Sequence, residues 1–188
     1  MTHSTVLLDP PFPERGGGKI KRGADRHYPL ITTRAAMLRT IVQCPHWPPA
    51  DDAHVYMWTT DNYLSWAVWL FDCFGAKLHR TIPWRKTGMG LGQYFRGCHE
   101  LLLFGTIGKG FAVKTDATLR TDALLDLKWR GRHSEKPPAS YELIEARSNG
   151  PYLELFARSE RPGWTAWGNE VSDTLDPCHH PRTTTGRT

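Results

Sequence analysis

The sequence predicts an α/β fold with three layers, in which helices cover both faces of a mostly parallel β-sheet. Strand-like and helix-like segments alternate along the chain, which is typical of parallel sheets. The run 100–105 is almost entirely apolar, as expected for a strand covered on both faces. The 188 residues, 39% hydrophobic and 23% charged, suffice for one globular domain and exclude wholesale disorder.

The first strand and the first helix are indicated by short local signals. Residues 5–8 are apolar or β-branched, and this strand must stop at Pro10 and Pro11, because proline cannot donate a ladder hydrogen bond. Thr32 or Thr33 can cap a helix, which we expect to continue to about residue 43.

A second strand and a second helix follow. Residues 54–59 predict the strand, and Asp61 or Asn62 can cap a helix that is closed by Gly75, since glycine readily adopts the left-handed conformation at helix ends. The aromatic residues of segment 63–74 recur at helical spacing. We therefore expect them to lie in the core and not on a base-binding platform.

The second half of the chain completes the predicted domain. A short helix is expected to end at Arg147, and strands are expected at 77–84, 100–105, 152–156 and 164–168. The three glycines within 105–110 are not followed by a capped helix, so they indicate a turn. We assign residues 1–173 to a single domain and expect a disordered tail at 174–188.

The sequence contains no signal for secretion or membrane insertion. Its first residues lack a basic stretch followed by an apolar run, and no segment approaches the roughly 18 apolar residues of a spanning helix. The four cysteines form no C-x-x-C pair, which is a reduced, intracellular pattern, so we expect a cytoplasmic protein. No metal is expected, although Cys44 with His46, or Cys178 with His180, leaves a zinc site as a less favoured alternative.

The sharpest motif is the tetrapeptide Asp9-Pro10-Pro11-Phe12 at the end of the first strand. A carboxylate and a proline carbonyl can accept the two hydrogens of an exocyclic amine while a flat ring stacks on the base. Held in this way, the amine becomes a workable nucleophile through its position. On its own the tetrapeptide also fits a plain strand-to-turn transition with a solvent-facing Asp.

Basic residues are concentrated in one glycine-rich segment. The chain has a formal charge of +5, and between residues 14 and 26 five basic side chains, including Lys19, Lys21 and Arg22, outnumber two acidic ones. Such a segment can bind phosphates in a salt-sensitive way, although a solvated flexible loop explains it equally well. A second segment, 86–99, contains Tyr94 and Arg96, a pairing suited to a strand with an unstacked base.

Together with the tetrapeptide, three further segments resemble the adenine-N6 methyltransferase family of the MT-A type, and its bacterial and phage branch in particular. These segments are 84–105, Ser134-Glu135-Lys136-Pro137, and 154–170, which contains Glu154-Leu155-Phe156-Ala157-Arg158 and ends in Trp167-Gly168-Asn169-Glu170. The resemblance covers about residues 6–171. Several spaced motifs in the same order as in the family are far more specific than any one of them.

The resemblance implies a Rossmann-like methyltransferase fold, permuted so that the catalytic motif precedes the cofactor motif, and S-adenosylmethionine as the cofactor. It implies methyl transfer to the 6-amino group of adenine in DNA. An RNA substrate is the first alternative, and a catalytically inactive nucleic-acid-binding subunit is the second. The partner would be DNA or RNA, with a homodimer or a partner subunit also open.

The resemblance also assigns roles to individual residues. The catalytic floor is Asp9, Pro10, Pro11 and Phe12. The cofactor would be held by Asp9, Lys136, Glu154, Phe156, Arg158, Gly168, Asn169 and Glu170. The target nucleic acid would be approached by Tyr28 and Glu100, with Lys19, Lys21, Arg22 and Arg96 as further candidate contacts. Two departures matter: Phe12 replaces the family's usual Trp, and the sequence starts almost at the catalytic strand, so we expect the pocket for the cofactor's adenine to differ.

Overall fold

A computed structural model describes residues 2–14, 31–86, 88, 94–110, 114, 125–126, 135–169 and 171. The predictions for Lys19, Lys21, Arg22, Tyr28 and Glu170 lie outside these residues, as does the predicted tail at 174–188. The division into one domain and a tail therefore stays a prediction.

Within the described residues, seven strands form one sheet in the order β5-β3-β4-β2-β1-β6-β7. Their bounds are β1 Thr5–Leu8, β2 Ala53–Thr59, β3 Lys77–Arg85, β4 His99–Ile107, β5 Leu125–Asp126, β6 Tyr152–Leu155 and β7 Trp164–Trp167. All neighbouring pairs are parallel except those that β4 makes with β2 and β3. The predicted mostly parallel α/β sheet is confirmed, and the two-residue β5 was not predicted.

The reversed direction of β4 determines which residues meet at the site. The strands β1, β2, β3 and β6 all end at one edge of the sheet, whereas β4 starts there. Glu100, near the start of β4, pairs with Trp84, near the end of β3. Residues that follow β1 and β6 therefore share an edge with the start of β4, and this is the edge at which α/β sheets bind ligands.

The first helix, α1, spans Arg34–Val42 as its sequence predicts. The Thr33 hydroxyl oxygen accepts a hydrogen bond from the Ala36 N–H at 3.1 Å, which confirms the predicted cap. This bond satisfies one of the backbone donors left unpaired in the first helical turn.

The second helix, α2, spans Leu64–Cys73 and is followed by Gly75 with a left-handed φ of 65°. The predicted caps of this helix were wrong, because Asp61 and Asn62 lie in a short 3-10 helix that precedes it and make no capping hydrogen bond. Their side chains have other partners: Asn62 donates to the Glu14 carboxylate, and Asp61 pairs with His99.

The third helix, α3, spans Ala139–Arg147 and completes the three layers. Alternate side chains of β1 enter different cores: Val6 and Leu8 pack in the core that includes residues of α1 and α2, and Leu7 packs in the core that includes residues of α3. The partly buried aromatic residues of the Trp-rich segment, Tyr63, Trp66 and Trp69, pack against the first core, as predicted. In the described ranges, no helix combines the length and the apolar character needed to cross a membrane.

Candidate active site

The predicted catalytic tetrapeptide forms tight turns directly after β1. The Asp9 N–H donates to the Leu155 carbonyl at 3.3 Å, which ties the motif to the end of β6. The Phe12 N–H then donates to the Pro10 carbonyl at 2.8 Å, and the Glu14 N–H donates to the Phe12 carbonyl at 2.7 Å. Each of these two bonds closes a three-residue turn, so the backbone is held tightly just beyond Asp9.

The far end of this turn is anchored to the 3-10 helix. The Tyr63 hydroxyl donates to the Pro13 carbonyl at 2.7 Å, and the Glu14 carboxylate accepts a hydrogen bond from the Thr60 hydroxyl. The Tyr63 ring also stacks on Phe12, with centroids 5.2 Å apart and planes 13° from parallel. This packing corrects the expectation that Phe12 offers an open face to a base, because only 6% of the residue is exposed. In this structure Phe12 stabilises the turn by packing against Tyr63.

Four side chains of alternating charge cross the carboxyl edge of the sheet, and we call them the ionic chain: Asp9, Lys136, Glu100 and Lys86. The Lys136 ammonium lies 2.8 Å and 2.9 Å from the two Asp9 carboxylate oxygens. It also lies 3.4 Å from one oxygen of Glu100, whose other oxygen pairs with Lys86. The side chains of Asp9, Lys136 and Glu100 are only 10–16% exposed, whereas that of Lys86 is 37% exposed.

Mutual attraction fixes the charge of the two central members. Burial opposes the charged form of Lys136, but the carboxylates of Asp9 and Glu100 raise the pKa of its ammonium above the usual range. Burial also opposes ionisation of Glu100, yet the ammonium groups of Lys136 and Lys86 hold the pKa of its carboxyl below the usual value. Both groups are therefore charged at neutral pH. The Trp58 ring, 5.6 Å from the Lys136 nitrogen, adds a cation–π attraction.

A cavity of about 350 Å³ opens beside the ionic chain, a size at which proteins bind small ligands. Residues of both charges surround it. Five residues predicted from the sequence line this cavity together: Asp9, Lys136, Glu154, Phe156 and Arg158. Their convergence supports the grouping that the sequence predicted, since they come from three separate segments of the chain.

Sequence reasoning missed several residues that line this cavity, among them Tyr141 and Arg161. The Tyr141 hydroxyl donates to the Glu154 carboxylate at 2.8 Å, and the Arg161 guanidinium lies 3.9 Å from the centre of the Tyr141 ring. Glu154 is only 7% exposed. Its burial is the main reason that the pKa of its carboxyl is raised to about 7, and the Asp9 carboxylate adds to the rise. The signal available in the sequence was the position of Tyr141, five residues after Lys136.

The substitution Glu154→Gln is expected to stabilise the protein above neutral pH by about 3 kcal/mol, since each pKa unit corresponds to about 1.4 kcal/mol. The folded-state pKa of about 7 lies above the ordinary 4.5, so the folded protein keeps a proton that the unfolded chain releases between these values. Stability therefore falls as the pH rises through this range, and Gln removes the effect. Urea unfolding of both proteins at about pH 5 and about pH 8 measures it. An identical pH dependence in the two proteins would contradict the assignment.

The backbone beside the cavity is strained and closely packed. Phe156 follows β6 with a φ of 65°, a conformation that costs a bulky residue about 1–3 kcal/mol. The Ala157 N–H donates to the Trp167 carbonyl at 3.0 Å, which joins the segments after β6 and β7. Gly168 makes this approach possible, because a Cβ atom there would lie 2.3 Å from the Ala157 carbonyl oxygen.

We expect Gly168→Ala to lower the free energy of unfolding by about 2 kcal/mol, the typical cost of forcing a carbon atom into a closely packed position. The obstructing atoms belong to the backbone of Phe156 and Ala157, so no side chain can turn aside to relieve the contact. Gly97→Ala is the matched control, since a Cβ at Gly97 meets no atom of the described residues within 4 Å. Chemical denaturation of both variants measures the difference, and equal stabilities would show that the two segments can separate without cost.

The remaining predicted residues lie at different distances from the cavity. Asn169 is exposed just after β7, and Arg96 is exposed in the connection between β3 and β4. Pro10 is buried, and the Pro11 carbonyl accepts a hydrogen bond from the Ile31 N–H at 3.4 Å. Glu100 joins the site through Lys136 and does not line the cavity as an open side chain.

In the part of the chain that the structure describes, no group of three or more His, Cys, Asp or Glu side chains could hold a metal ion. Cys44 is buried, Cys73 and Cys98 are exposed, and Cys178 lies outside the described residues. The glycines of the run 105–110 form the end of β4 and a turn, with left-handed φ values at Gly108 and Gly110, as predicted.

The fold and the site define an α/β protein with a charged, ligand-sized cavity at the carboxyl ends of its parallel strands, where proteins of this architecture bind cofactors. The chain belongs to the MT-A70 family, whose family model matches residues 3–170. This shows the family that the sequence motifs had indicated.

Two similar proteins extend this assignment. The chain is 32% identical over 127 residues to the type II methyltransferase M.MunI of Mycoplasma sp., covering 66% of this chain and 53% of that protein. It is 58% identical over 40 residues to the N(6)-adenine-specific methyltransferase METTL4 of Homo sapiens, covering 21% of this chain and 8% of that protein. The chain thus spans about half the length of the first relative and a small part of the second.

Proposed function

We propose that this protein transfers a methyl group from S-adenosylmethionine to the 6-amino group of adenine in DNA. The observation that carries the proposal is the position of Asp9, which begins a tight turn, pairs with the buried Lys136 ammonium group and lines a charged cavity. Membership in the MT-A70 family supports it. The names of the two relatives support a methyltransferase with adenine N6 as acceptor, and the type II name favours DNA over RNA.

The tight turn after Asp9 suits the orientation of an aromatic amine. The Asp9 carboxylate and a neighbouring proline carbonyl would each accept one N–H of the amine, which aims the nitrogen lone pair. The amine nitrogen becomes more positive as it gains the methyl group, so a fixed carboxylate stabilises the transition state more than the ground state. One amine proton then leaves to solvent and restores the neutral amino group.

The cavity residues fit the amino-acid part of the cofactor. Lys136 and Arg158 offer positive charge to a carboxylate, while Asp9 offers negative charge and Glu154 offers carboxyl oxygens as hydrogen-bond acceptors to cationic groups. Bound S-adenosylmethionine would supply an electrophilic methyl group carried by a sulfonium sulfur. The leaving group would be a neutral thioether. Asn169, with Glu170 outside the described residues, keeps its proposed role at the ribose hydroxyls.

Labelled S-adenosylmethionine incubated with matched DNA and RNA strands tests the proposal directly. We expect label in DNA, recovered as N6-methyladenine after digestion to nucleosides. Label in RNA alone would establish the RNA alternative. Binding of nucleic acid and cofactor with no transfer to either strand would favour an inactive binding subunit.

A further inference from the structure

Two neighbouring aromatic rings, Tyr94 and Phe95, stand almost fully in solvent. They are 93% and 91% exposed, and the next exposed large hydrophobic residue in the described ranges is Val42 at 48%. Burial of an aromatic ring stabilises a folded protein, and this pair forgoes that stabilisation. Adjacent exposed aromatic rings therefore indicate a surface that is covered when a partner binds.

The pair lies at the edge of the sheet that carries the ionic chain. The strands β3 and β4 are paired up to Arg85 and His99, and the Lys86 N–H donates to the Cys98 carbonyl at 2.6 Å. Phe95 precedes Cys98 by three residues, so its backbone lies within about 11 Å of that position. The two rings are thus confined to the neighbourhood of the start of β4, where Glu100 meets Lys136.

The charge around the pair narrows the choice of partner. Arg85 and Arg96 are exposed on either side of it in the chain, and Lys86 is partly exposed. A purely apolar protein partner would offer no negative charge to the exposed guanidinium groups of Arg85 and Arg96. A single-stranded nucleic acid complements both features, because its bases stack on aromatic rings and its phosphates attract guanidinium groups.

We propose that Tyr94 and Phe95 stack on unpaired bases that flank the target adenine, with Arg96 at the adjoining phosphate. The inference rests on the proposed function and adds to it a form of substrate: a single strand, or a duplex opened around the adenine. Stacking does not discriminate strongly between bases, so this contact strengthens binding and contributes little to sequence choice.

The double variant Tyr94→Ala with Phe95→Ala is expected to bind single-stranded DNA at least about 25-fold more weakly, because it removes two base–ring stacks and each contributes about 5- to 150-fold to the affinity. Fluorescence anisotropy with a labelled strand of about 12 nucleotides, one adenine among thymines, measures the affinity. Tyr94→Phe is the matched control and should bind as the wild type does, because it keeps the ring.

A second strand, with abasic sites on both sides of the adenine, tests stacking itself. If the rings stack on these bases, the wild type binds the abasic strand more weakly than the intact strand. The double variant then binds the two strands equally, because it has no rings to stack on the bases. Independent, additive losses would overturn the proposal. So would a variant that binds both strands normally but has lost a self-association seen by sedimentation, since the pair would then be an interface between copies of the chain.

Failure of this inference and failure of the proposed function give different results. Wild-type protein that methylates DNA, together with a double variant of unchanged affinity, would overturn only the stacking surface. Wild-type protein that transfers no methyl group but shows the non-additive loss would overturn the methyltransferase proposal and leave the stacking surface in place.

Discussion

Asp9→Asn is expected to lower the rate of methyl transfer by about 10³-fold, comparable to the loss of a preorganised electrostatic contact in other active sites. Asn has nearly the same shape, so the tight turn and the Asp9 N–H bond to Leu155 are kept. What disappears is the fixed negative charge that faces the amine as it becomes positive. The initial rate with labelled cofactor and saturating DNA measures this effect.

The control for Asp9→Asn is the affinity for the cofactor, measured by calorimetry in the absence of DNA. Because Lys136 keeps its contact with Glu100, the cavity keeps its ammonium group in place, and we expect affinity to change by less than about tenfold. A variant that retains a tenth or more of the wild-type rate would show that Asp9 is not the residue that orients the amine.

Local signals in the sequence predicted most of the fold. The prolines after residue 8 ended β1, and Thr33 capped α1, because both effects depend only on neighbouring atoms. The prediction of a cap for α2 was wrong for the opposite reason. Asp61 and Asn62 have the side chains of a cap, but distant partners, His99 and Glu14, hold them. Tertiary contacts of this kind have no signature in a local window.

For the candidate site, too, some features could be predicted from the sequence and others depend on tertiary contacts. The motifs grouped Asp9, Lys136 and Glu154, and these residues line one cavity although more than a hundred positions separate the first from the second. The ionic chain could not be predicted from the motifs, because it depends on the direction of β4. This strand runs antiparallel to its neighbours, which places Glu100 at the carboxyl ends of the parallel strands, beside Lys136. The burial of Phe12 was missed because an aromatic ring after a strand is equally suited to a ligand or to a neighbour such as Tyr63.

Lys136→Met is expected to lower the free energy of unfolding by about 3 kcal/mol and to reduce methyl transfer strongly. Removing one partner of a buried ion pair leaves the other uncompensated, and here both Asp9 and Glu100 lose their shared ammonium group. Met keeps most of the length and the apolar stem of the side chain, so it fills most of the same space, but the cation–π attraction to Trp58 is lost. Urea unfolding at neutral pH measures the loss of stability.

Two further variants separate charge from packing at Lys136. Lys86→Met removes an ammonium group that is 37% exposed, and pairs near solvent are worth about 0–1 kcal/mol, so this control should cost far less. Glu100→Gln combined with Lys136→Met removes one of the two carboxylates that have lost the Lys136 ammonium group, and it should recover part of the stability. It should not recover the methyl transfer, because Asp9 still lacks the Lys136 ammonium group. A double variant no more stable than Lys136→Met alone would show that packing, and not charge, makes the residue necessary.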